Sequence, residues 1–163
     1  MAGSNSDVKV TFISDEVLAD PNGFSASAQV NDGAALTLGG ALADGGAVTL
    51  GSARTVSITS GGDDRSISFT VVGTDLDGVS LTESITGVNN SAATGSKFFK
   101  TITSITAVGD PAGTVIAGTT AVAADIIFGG RTRLKGYSIV SGGTAGVIEF
   151  VNGEPNGGGS TLF

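Results

Sequence analysis

The stretch Arg54–Val108, RTVSITSGGDDRSISFTVVGTDLDGVSLTESITGVNNSAATGSKFFKTITSITAV, decides the fold. Val56 and Ile58 alternate with Ser57 and Thr59, and Ile67, Phe69 and Val71 alternate with Ser68 and Thr70. Val79, Leu81 and Ile85 share a face broken by Glu83, while Phe98, Ile102 and Val108 lie near a second set at Phe99, Ile105 and Ala107. A period of two is the spacing of strands with one wet and one dry side. Ser60–Asp64, Asp75–Gly78 and Asn89–Gly95 separate these runs with Gly, Asn and Asp, residues that accept the positive φ of tight reversals. The expectation is a four-stranded antiparallel meander.

Outward from that stretch, Val8–Ile13, Ser25–Val30, Ala35–Leu38 and Ala47–Leu50 read as short strands between glycine reversals. Ser14–Asp20 reads either as one helical turn capped by Ser14 or as irregular chain. Downstream, Gly109–Gly113 is a turn, and Thr114–Ala117 a strand. In Ala121–Phe128 helix and strand compete, and the Ile126-Ile127-Phe128 end favours strand. Leu134–Val140 and Ala145–Val151 form a pair across a Ser-Gly-Gly-Thr turn. About ten or eleven strands at this spacing make an all-β antiparallel sandwich, jelly-roll or Ig-like. Residues 1–33 are expected as an N-terminal arm and 34–163 as the sandwich domain. Ser160–Phe163 starts like a strand and stops after four residues, so it either completes a neighbour's sheet or belongs to a natural chain that runs on.

Composition removes many chemistries. A chain of 163 residues can bury roughly 70% of its unfolded surface and needs no covalent staple. It has no Cys and no His, so thiol nucleophiles, disulfides, His-ligated zinc and a Ser-His-Asp triad are all missing from the inventory. A formal charge of −7 with only 8 Lys and Arg opposes binding to a phosphate backbone. No apolar run reaches the length of a membrane-spanning helix, and MAGSNSDVKV has neither the basic nor the apolar region of a secretory signal. The expectation is a non-enzymatic protein without cofactor, nucleic-acid or membrane partner, made in the cytoplasm.

Four groups stand out as candidate sites. Asp75 and Asp77, in Asp-Leu-Asp-Gly, are weak metal candidates: paired carboxylates before a glycine can begin a calcium loop, but the twelfth position is Thr86 where an EF-hand carries Glu. A hairpin turn explains the same residues. Arg131, Arg133 and Lys135 alternate in a chain poor in cations, which puts three like charges on one strand face. Either a partner answers them or they guard an edge strand. Phe98 and Phe99, between Lys97 and Lys100, point to opposite sides of a strand, as where a sandwich strand also lies under another subunit. Asp64 and Glu83 are the acids that a carboxylate-dependent glycosidase would need, the least favoured reading.

Thr59-Ser60, Ile67–Thr70, Gly73–Gly78, Thr82–Gly87 and Lys97–Ile105 fit a run of the form V-I-T-S-x-G-x-D-x-S-I-x-F-T-V-x-G-T-D-x-D-G, T-E-x-I-x-G and K-x-F-K-T-I-T-S-I. Through these residues the chain resembles small β-rich structural proteins of tailed bacteriophages, over Ala35 to about Gly118. RTRLKGYSIVSGGTAGVIEF resembles the downstream strand pair of those proteins, whose chains continue past the equivalent of Phe163. The resemblance implies a virion location and a capsid decoration or cement protein. It also implies a homo-oligomer, with a trimer as the expected form, bound to the major capsid protein or another virion protein. A neck, tail or fibre component that binds a partner protein or a host glycan is the alternative. The motifs carry no catalytic residues.

Overall fold

The computed structural model describes residues 18–126, 136–139, 147–153, 156 and 160–161. Ten strands lie among them: β1 (Asp20–Ala28), β2 (Ala43–Asp44), β3 (Ala47–Ser60), β4 (Ser68–Thr74), β5 (Ser80–Thr86), β6 (Ala92–Thr94), β7 (Phe99–Val108), β8 (Val115–Ala124), β9 (Val151–Asn152) and β10 (Ser160–Thr161). The first eight form one antiparallel sheet in the order β1-β8-β3-β7-β4-β5, with β2 and β6 also paired to β3. The described chain is all-β and sandwich-like, as the alternation of apolar and hydroxyl residues predicts.

β3 organises the sheet. Its first half pairs with β7, Val48 opposite Ile102 and Thr49 opposite Thr101. Its second half pairs with β8, from Val56 opposite Thr119 to Ser60 opposite Val115. Arg54, at the changeover, faces Phe99 on one side and Ala123 on the other, and the register shifts on both sides there. Such shifts bend a strand and increase its twist, which lets one strand serve both halves of the sheet. Phe24, Val56, Ile58 and Val115 from one half then share a single apolar cluster with Phe69, Val71, Ile85 and Ile105 from the other.

The four-stranded meander does not form. β4 and β5 make the expected hairpin, but β7 lies between β3 and β4. The reason lies in what holds each loop. Asp75–Gly78 reverses the chain tightly, with Gly78 at φ 78°. Gly61–Ile67 instead crosses the end of the sandwich, holding Val88 and Thr114 through backbone bonds from Asp64 and Gly61. Thr114–Ala117 and the start of Ala121–Phe128 merge into one strand, β8. Within the expected arm of residues 1–33, β1 is a full member of the sheet: it pairs with β8, and Phe24 is completely buried. Ser14–Val17 lie outside the described residues, and Asp20 opens β1 rather than closing a helical turn.

Two glycines are required by close approach. A Cβ at Gly73 would overlap the Thr101 carbonyl oxygen where the β4–β7 register shifts, and one at Gly118 would overlap the Asp20 carbonyl oxygen where β1 bulges over β8.

Candidate interaction surface and its supporting locks

The acidic residues singled out in the sequence hold loops. Asp75 Oδ1 accepts from the backbone N–H of Asp77 at 3.0 Å and of Val79 at 2.9 Å, closing the β4–β5 turn on itself. This is the Asx pattern that makes Asp a turn residue. Asp77 joins only through its backbone among these bonds, and no group of three or more acids that could hold a metal ion occurs among the described residues.

Asp64 is fully buried, and its Oδ1 accepts from the Ala112 N–H at 2.7 Å, tying the β3–β4 crossing to the β7–β8 turn. Gly87 passes so close that a Cβ there would lie 2.7 Å from the Asp64 Cβ. Glu83 lies on the core-facing side of β5 between Leu81 and Ile85, an inward acid on an edge strand. Its Oε1 accepts from Ser96 N at 2.6 Å and Ser96 Oγ at 2.9 Å, and both carboxylate oxygens lie 3.3 Å from Lys97 N. Lys97 Nζ in turn donates to Thr82 O at 2.8 Å. Asp64 and Glu83 are therefore fastened to different loops.

The exposed pair is Asp63 and Arg65, joined at 2.7 Å with a second bond of 2.8 Å from Arg65 Nε. The Arg65 side-chain hydrogen bond holds the Asp63 carboxyl below its ordinary range, and Asp63 holds the guanidinium above its own.

Phe98 and Phe99 separate sharply. Phe99 is completely buried in the core, which leaves its ring no free surface for a partner; the expectation of partner contact there is corrected by burial. Phe98 is half-buried, and its backbone is held by Asn156, whose Oδ1 accepts from Phe98 N at 2.7 Å and whose Nδ2 donates to Phe98 O at 3.0 Å. Arg131, Arg133 and Lys135 lie outside the described residues.

Two surfaces are available for contact. The outward sides of β7, β4 and β5 are in register: Thr70 stands between Thr106 and Ser84, Val72 between Ser104 and Thr82, and Thr74 between Thr101 and Ser80. None of these residues is charged, and Thr74 and Thr101 join hydroxyls at 2.7 Å. Burial alternates strictly along β4, with Phe69 and Val71 inside, so this hydroxyl row is the wet side of the sheet. The second surface is apolar. Tyr137, Ile139, Val147 and Ile148 are exposed, Val147 by 87%, and the rings of Tyr137 and Phe150 meet at a tilt of 38° with centroids 5.1 Å apart. Sequence reasoning missed this second surface: it read Ala145–Val151 as half of a strand pair and singled out no contact residues there.

No protein-family model, curated protein or solved structure matches this chain.

Proposed function

We propose that this chain is a structural protein of a tailed-phage virion, acting as a capsid decoration or cement protein bound to the outside of the head shell as a homo-oligomer. The observation that supports this reading is the use made of the motif residues. Asp64, Asp75, Glu83 and Lys97, four of the polar residues in the resembling stretch, are engaged in holding turns and loops. A pattern of this kind specifies a shape, and what that shape offers to a partner is the uncharged hydroxyl side of β7, β4 and β5.

In this role the chemistry is binding alone. A protein that binds the assembled lattice better than free shell subunits stabilises the lattice by that difference in affinity. A neutral contact side also lets an acidic chain of net charge −7 approach a surface without opposing carboxylates. The test is quantification of this chain in purified particles by mass spectrometry, with imaging of its position. Copies at the scale of the shell lattice support the decoration role. A handful at one vertex supports the neck, tail or fibre alternative, and absence from particles refutes both.

A further inference from the structure

We propose that Asn156 is a latch fastening the C-terminal segment to the sandwich, and that the Asn156–Gly157 dipeptide makes the latch one-way, because deamidation opens it. Phe98 immediately precedes β7, whose first residue, Phe99, pairs with Arg54 of β3. The backbone N–H and C=O of Phe98 thus stand just past the end of that pairing, where no strand among the described residues answers them. The Asn156 side chain does, giving an acceptor at 2.7 Å and a donor at 3.0 Å. This is the two-bond exchange of an antiparallel strand partner, made by one planar group. A carboxamide carries an N–H donor and a C=O acceptor side by side in one plane, so the partners also fix which way the amide points.

The following residue supplies the chemistry. Gly157 has no side chain to hinder attack of its backbone nitrogen on the Asn156 Cγ. That attack closes a five-membered succinimide and expels ammonia. Water then opens the ring at either carbonyl, leaving aspartate or isoaspartate. The net change is asparagine plus water to acid plus ammonia, with no redox step. The product carboxylate has acceptors only, so the bond to the Phe98 carbonyl is lost and two oxygens face each other in its place. Isoaspartate additionally lengthens the main chain at that point. An amide held by two hydrogen bonds to Phe98 is less free to swing its Cγ onto the next nitrogen, so the rate of deamidation reports how often the latch opens. Asn152–Gly153 is the internal comparator, with Asn152 exposed on β9.

The experiment is residue-resolved hydrogen exchange on the full chain: wild type, Asn156→Asp, Asn156→Ala, and wild type aged at mildly alkaline pH until peptide mass spectrometry shows conversion at Asn156. The expected result is exchange of the Phe98 amide faster by about tenfold in both variants and in the aged protein. The amides of Phe69 and Ile105 should keep their protection, and Asn152 should convert before Asn156. Unchanged protection of Phe98 in Asn156→Asp overturns the opening by deamidation, and unchanged protection in Asn156→Ala overturns the latch itself. So does a loss that spreads equally over β4 and β7, which would mean general destabilisation. Conversion of Asn156 as fast as Asn152 overturns its engagement in solution, and no conversion on ageing overturns the one-way step.

Discussion

Replacing Glu83 by Ala tests whether the motif acids fasten loops. The carboxylate accepts from Ser96 N at 2.6 Å and from Ser96 Oγ at 2.9 Å, with Lys97 N further away at 3.3 Å. A hydrogen bond to a charged acceptor contributes about 1.5–3 kcal/mol, and less where the freed donor can turn to water. Ser96 is exposed, so its two bonds together are worth no more than about 2 kcal/mol, with little added by the long contacts. For a chain of 163 residues that loss lowers Tm by up to about 4–8 °C. Glu83→Gln keeps an acceptor in place without the charge and should lose about half as much. Thermal unfolding followed by circular dichroism in the β region measures both, and hydrogen exchange at Ser96 and Lys97 localises the effect. A fall of less than about 2 °C for Glu83→Ala would refute the argument, because the contacts would then be worth no more than an ordinary surface position.

The two adjacent phenylalanines should behave differently: Phe99→Ala is expected to cost about 3–5 kcal/mol in a denaturant titration and Phe98→Ala less than about 1.5 kcal/mol. Equal losses would contradict their assigned burial. Removal of residues 1–33 should abolish the folded state, since it takes away β1 and the buried ring of Phe24; a cooperative thermal transition in that truncated chain would show that the sheet does not need β1. Arg65→Ala should raise the Asp63 pKa toward the ordinary range when followed by carboxyl NMR. Because the folded-state value is lowered, the pair's stabilisation is present above the unfolded Asp range and fades as pH falls through the lowered value. Both side chains are largely solvated, so Tm near neutral pH should not move measurably, and an unchanged Asp63 titration would dissolve the pair in solution.

Much of the sheet was legible because its alternation is strict: β4 reads in and out at every residue, and the Asp75–Gly78 turn carries its own hydrogen-bonding side chain. Strand order was not legible. Nothing local in Gly61–Ile67 distinguishes a hairpin loop from a crossing, and the feature that decides it, the buried Asp64 bond to Ala112, joins residues 48 positions apart. The site suffered from the same limit. Phe98 and Phe99 are equivalent as letters, and only the pairing of Phe99 with Arg54 turns one ring inward. Glu83 looked like an interruption of an apolar face, and the loop it holds comes from further along the chain. Asn156 carried no signal at all, because its partner is a backbone group.

The bend in β3 has a mechanical consequence. One continuous ribbon is zipped to β7 along its first half and to β8 along its second, so peeling either neighbour loads the other through the same covalent backbone. The two halves of the fold therefore have no independent melting route. Heat or tension should break the molecule in a single step, with no half-open form to expose its interior.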